Sequence, residues 1–163
     1  MTSDLLKTYL QDHHAGSTVG VELAKRCADS NAEWAHGAEI AAIRDEIAAD
    51  QQTLEKLMDH LDVSPSKIKD GLGWTAEKLG RLKPNNHLLS QSPLSRVIEL
   101  EGLVIGVTGK SALWDALRTT LGDSVGGVDL AALAERADSQ RARLETLRRA
   151  AAGEAFEPAG LRR

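Results

Sequence analysis

Glu101 is the most conspicuous reactive group in the chain, because it lies between Ile98 and Ile105 inside the most apolar stretch, residues 93–119. An ionised carboxylate on a buried face must be paired, or must hold a proton. Its candidate partners are His13 and His14, the Glu46–Asp50 pair with the neighbouring Gln51, and Gln140 with Arg141. Two chemistries follow. Carboxylates and imidazoles inside a helical bundle can hold a divalent metal such as iron, or a small ligand; His13, His14, Glu46, Asp50 and Glu101 are then the metal-ligating candidates, and bound iron would allow oxidative chemistry. Alternatively the same groups form a structural layer, with Glu101 neutralised by His13 or Arg141 and the two glutamines completing the hydrogen bonds and fixing register. The structural layer, with no cofactor, is the favoured reading, because the spacing is irregular and buried polar groups usually satisfy one another. Adjacent histidines on a helix point about 100° apart, so His13 and His14 cannot both face one ion.

Two further groups invite chemistry. Residues 104–111 end in Gly109-Lys110-Ser111, like a phosphate-binding loop, but Val104 stands where that loop needs its first glycine. No other segment reads as a buried strand of the parallel sheet such a loop requires, so a helix interior with Gly102, Gly106 and Gly109 stacked for close packing is expected. A nucleotide-binding enzyme using Lys110 is the weakest of the functional readings. Cys27 falls near a helix C-terminus, where the dipole disfavours the thiolate. The arginines at 136, 141, 143, 148 and 149 alternate with Glu135, Asp138 and Glu145, the pattern of a solvated, ion-paired helix face.

The elements that must position these groups are helices. Ser3 can cap a first helix over about 4–28, whose inward residues are Leu6, Leu10, His13, Ser17, Gly20, Ala24 and Cys27. Gly16 and Gly20, one turn apart, predict close approach of another chain segment. A second helix runs from about Gly37 to Leu61, with Ile40, Ile43, Ile47, Leu54, Leu57, Met58 and Leu61 inward. Ser92-Pro93 opens a third helix ending near Thr119, apolar in nearly every direction and so predicted to be buried on most sides. Asp129 caps a fourth, to about residue 155, with Leu130, Leu133, Ala137, Gln140, Leu144, Leu147 and Ala151 in one row. Between helices two and three, Ser64-Pro65 starts an amphipathic stretch to about 81; residues 155–163 form a frayed tail.

Four amphipathic helices of similar length pack as a single-domain, all-α four-helix bundle. The short first and last loops make two antiparallel hairpins. The thirty residues between helices two and three can span a helix length, on the order of 37 Å for about 25 residues, leaving those two helices parallel. Two hairpins joined by a long crossover resemble the ferritin-like superfamily, over residues 4–155. The resemblance implies a di-iron site built from one Glu on each of helices one and three and a Glu-x-x-His pair on each of helices two and four. Glu101 matches the single Glu of helix three; Glu22 or His13–His14 stand on helix one. Helix two offers Glu46 and Asp50, helix four Glu135 and Asp138, and neither carries the Glu-x-x-His pair, so the resemblance implies a di-iron site lost or rebuilt.

A net charge of −4 argues against nucleic acid or an anionic membrane as partner. No apolar run is long enough to span a bilayer, residues 1–7 do not begin a signal peptide, and the single cysteine suits a reducing cytoplasm. The expected function is protein interaction, above all self-association as a dimer, through the glycine faces. The alternative is a metal- or small-ligand-binding bundle with its site around Glu101. Whether the chain is an enzyme is left open.

Overall fold

Three side chains set where helices begin. Ser3 accepts the Leu6 N–H at 3.2 Å, Ser92 accepts the Ser95 N–H at 3.1 Å with Pro93 at the first helical position, and Asp129 accepts the Ala132 N–H at 2.9 Å. Each satisfies a donor that the first turn leaves without an intrahelical acceptor. The computed structural model describes residues 2–66 and 92–157. Within them lie four α-helices, α1 (Asp4–Ser30), α2 (Gly37–His60), α3 (Pro93–Leu121) and α4 (Leu130–Phe156). The amphipathic stretch expected to reach residue 81 lies, beyond its first two residues, outside the described residues, as does the tail from 158.

The loops are short where the sequence demands it. A Cβ on Gly37 would come within 2.6 Å of the Asn31 and Ala32 carbonyl oxygens, so the α1–α2 turn closes only on glycine. α3 and α4 are joined by a two-strand ribbon, β1 (Ser124–Val125) and β2 (Val128–Asp129), where a plain loop was expected. Gly126 and Gly127 turn it with φ of +58° and +78°, the double positive φ of a type I′ hairpin. The turn rests on the last residue of α2: a Cβ on Gly126 would lie 2.5 Å from the His60 ring.

Cross-helix partners give the helix directions. α1 runs antiparallel to α2, pairing His14 with Glu55 and Ser17 with Gln51, and antiparallel to α3, where Arg26 meets Glu99. α2 runs antiparallel to α4, with Glu39, Glu46 and Asp50 opposite Arg143, Gln140 and Arg136. Hence α2 and α3 run parallel.

The apolar interior is divided in two. At one end Leu23, Cys27, Ile40, Ile43, Leu100, Leu103 and Leu147 pack together; at the other, Leu10, Leu57, Met58, Trp114, Leu117, Leu130 and Leu133 do so. The inward rows predicted for α2 and α4 are the buried ones, Gln140 included, except that Leu61, just past the end of α2, is only partly buried. α3 departs from expectation. It buries Val97, Leu100, Leu103, Val107, Leu113, Trp114 and Leu117, but Ile105 is 73 % exposed and Glu101 faces outward. α3 packs against α4 on one side and α1 on another, which leaves a solvent strip even on an almost wholly apolar helix.

Candidate functional site

Between the two apolar clusters lies a charged layer. Asp50, from α2, is 2 % exposed. Its Oδ2 accepts from Lys110 Nζ of α3 at 2.5 Å and from Gln140 Nε2 of α4 at 3.1 Å, and its Oδ1 accepts from Arg136 Nη2. Lys110 Nζ also donates to Gln140 Oε1. Gln140 Nε2 reaches Glu46 Oε2 at 3.1 Å, and Arg143 continues the chain to Glu46 at 2.8 Å and to Glu39. A carboxylate this deep requires such pairing. Asp50 therefore faces two cations, one of which, the Arg136 guanidinium, does not lose its proton. Burial holds Lys110 below the ordinary ammonium range; Asp50 opposes the shift and Arg136 adds to it.

Beside the layer a cavity of about 450 Å³ opens between α1 and α3. Gly16 and Gly20 line one wall and Gly102, Gly106 and Gly109 the other; Ile47, Leu54, Leu103, Leu113 and Trp114 are among the apolar residues of the remaining lining. Asp50 and Lys110 reach it from the layer, and Asp12, His13, Ser17 and Gln51 stand among its polar lining residues. The glycines correct an expectation. A Cβ on Gly16, Gly20, Gly106 or Gly109 would meet nothing within 4 Å, so these glycines do not admit a close neighbour; they leave room. Most of the surface that the hollow presents is apolar, which suits a carbon-rich occupant.

The candidate residues read from the sequence fall into distinct environments. His13 lines the cavity, edge-on to Tyr9 with ring centroids 4.5 Å apart, and burial lowers its pKa against the opposing pull of Asp12. His14 is the more buried imidazole and meets Glu55 at 3.1 Å. Glu46 and Asp50 share the charged layer, bridged by Gln140, as expected for Asp50 and Gln140. Glu101 does not belong there: its side chain is 50 % exposed and its neighbour is Arg148 at 3.7 Å, so a site centred on Glu101 is overturned. Arg141 is exposed and faces Asp138, and Gln51 donates to Ser17 and Thr18 rather than into the layer. Among the described residues, no three His, Cys, Asp or Glu side chains converge as a metal would require.

The buried glutamate of α3 is Glu99, two residues earlier, held by Arg26 at 3.0 Å and pushed up in pKa by burial. It lies near the far end of α1, where Arg96 stacks 4.3 Å over Trp34 and donates to Asn31 and Glu154. Cys27 sits in that cluster with its thiol pushed up to about 12, chiefly by burial, which suits packing and not nucleophilic chemistry. The chain does hold one Glu-x-x-His spacing, Glu33–His36, but it occupies the exposed α1–α2 loop, far from the charged layer. Lys110 lies inside α3 with no strand before it, so its Gly-Lys-Ser setting is helical, as expected, and is not a phosphate loop. Pattern reading misses its role as the partner of Asp50; the available signal is a lone lysine in an apolar helix.

Comparison of the chain with protein-family models, curated proteins and solved structures finds no match. No helix among the described residues is long and apolar enough to cross a membrane.

Proposed function

We propose that this chain is a ferritin-like four-helix bundle, without the superfamily's di-iron site, that binds a small, mostly apolar molecule in the cavity between α1 and α3. The ferritin-like part is supported by the helix directions, with α1 antiparallel to both α2 and α3 and the latter two parallel. The single observation that carries the binding reading is the set of glycines facing about 450 Å³ of space across an otherwise packed bundle. Glycine in a helix interior costs roughly 1 kcal/mol against alanine, and here no steric contact demands it, so an occupant accounts for the room. The ligand site thus sits beside the Asp50–Lys110 layer rather than around Glu101.

The test uses N-phenyl-1-naphthylamine, an apolar dye that brightens when it leaves water. The wild-type protein should enhance its emission saturably, and Gly106→Leu, which fills the wall, should abolish the enhancement while the helical circular dichroism is kept. Equal enhancement by the variant, or none by the wild type, would remove the reading.

Self-association is the second reading, favoured by Ile105, a large aliphatic side chain 73 % exposed at the cavity rim. Sedimentation across concentrations should then give a dimer that Ile105→Glu dissociates; a monomer throughout would end it.

A further inference from the structure

The charged layer contains one member that it does not need in charged form. Arg136 and Lys110 share Asp50, and the guanidinium alone keeps that carboxylate ion-paired. Lys110 is only 15 % exposed at its side chain, and it lines the apolar cavity. Nζ carries three hydrogens; two go to Asp50 and Gln140, and the third has no partner among the described residues. A primary amine at the edge of an apolar pocket, with a carboxylate 2.5 Å away to carry protons, has the parts needed for carbonyl capture. We propose that Lys110 forms a reversible imine with a small apolar aldehyde or ketone that enters the α1–α3 cavity. The proposal rests on the cavity being a ligand site and adds the chemical class of the ligand.

The groups facing the amine decide whether it can react. Asp50 and, more remotely, Glu46 from α2 favour the ammonium; burial and Arg136 from α4 favour the neutral amine, and burial is the largest influence. From α1, His13 and Asp12 line the same cavity. The volume is about three times the 150 Å³ that accepts benzene in an apolar cavity, enough for a substituted aromatic or medium-chain carbonyl.

The step balances without a further reactant. The Lys110 ammonium gives one proton to Asp50, and the freed nitrogen pair attacks the carbonyl carbon. The C=O π pair moves to oxygen, which takes that proton from Asp50. A second nitrogen proton follows through the same carboxylate, the C–O bond breaks, and the oxygen leaves as water. Of the three nitrogen hydrogens, two end in water and one remains on the protonated C=N. The positive charge is conserved.

The probes are benzaldehyde, trapped by sodium cyanoborohydride and located by peptide mass spectrometry, and benzyl alcohol, which binds without reacting. At pH 7 Lys110 should be labelled several-fold faster than the exposed Lys25 and Lys56, because burial leaves more of its amine neutral and the cavity brings the aldehyde to it. The advantage should shrink as the pH approaches the pKa of free lysine. Lys110→Arg should lose the fast label with the other lysines unchanged. Benzyl alcohol bound in the cavity with Lys110 labelled no faster than the exposed lysines would overturn the amine's role and leave the cavity reading standing. Failure of both probes to bind would remove both.

Discussion

The two hairpins of this bundle meet along two seams that differ in kind. Along α2–α4, Glu39, Glu46 and Asp50 interlock with Arg143, Gln140 and Arg136 in a continuous ladder of charge-assisted hydrogen bonds. Along α1–α3, glycines on both helices face open space, and the polar tie between the helices, Arg26 to Glu99, stands near one end. One seam holds the hairpins in register; the other leaves a hollow where a molecule can sit. Lys110 belongs to both, since it crosses from the glycine wall of α3 to the carboxylate of α2. The separation suggests that the rigid seam is what allows the other to stay open without collapse.

The largest break in this comparison should come from Asp50→Ala. It leaves Lys110 and Arg136 facing each other without their anion, and removing one partner of a buried ion pair costs about 3–5 kcal/mol. Urea unfolding should show that loss, and a loss under about 1 kcal/mol would mean that the layer is not what joins α2 to α4. Arg143→Ala, at the half-exposed end of the same seam, should cost only about 1 kcal/mol or less, because solvent screens it. The opposite sign is expected across the molecule. Gly16→Ala and Gly106→Ala should each stabilise by roughly 0.5–1 kcal/mol, since alanine restricts the unfolded chain and meets no atom in the fold. Destabilisation by either would show a close neighbour where the cavity is.

The smallest effect is a pH dependence confined to the open seam. His13 has a lowered pKa in the fold, so below about pH 6.5 the unfolded chain takes up a proton that the folded chain resists. Stability should therefore fall as the pH drops through and below that value. His13→Phe should flatten this part of the profile, as seen in thermal unfolding between about pH 5 and 7; an unchanged slope would place the titration elsewhere.

The helix ends were legible in the chain because caps are local. Ser3, Ser92-Pro93 and Asp129 act on backbone groups within three or four residues, and each works as its type predicts. The inward rows of α2 and α4 were equally readable, because their apolar residues recur on a single stripe. Meeting points across helices were legible only for Asp50 and Gln140, polar residues set within such rows.

What the sequence by itself determined is thus an all-α chain of four helices, three of them opened by a side-chain cap, with a polar layer through its middle. Tertiary structure alone decided which acid of α3 is buried. Glu99 and Glu101 flank Leu100 on a helix apolar in nearly every direction, so its own pattern leaves its rotation open; packing against α1 and α4 turns Glu99 inward and Glu101 to solvent. The same rotation brings Lys110 to Asp50, 60 residues away in the chain. It also decides whether a glycine admits a neighbour or leaves a void, because that depends on what stands opposite, which no local pattern encodes.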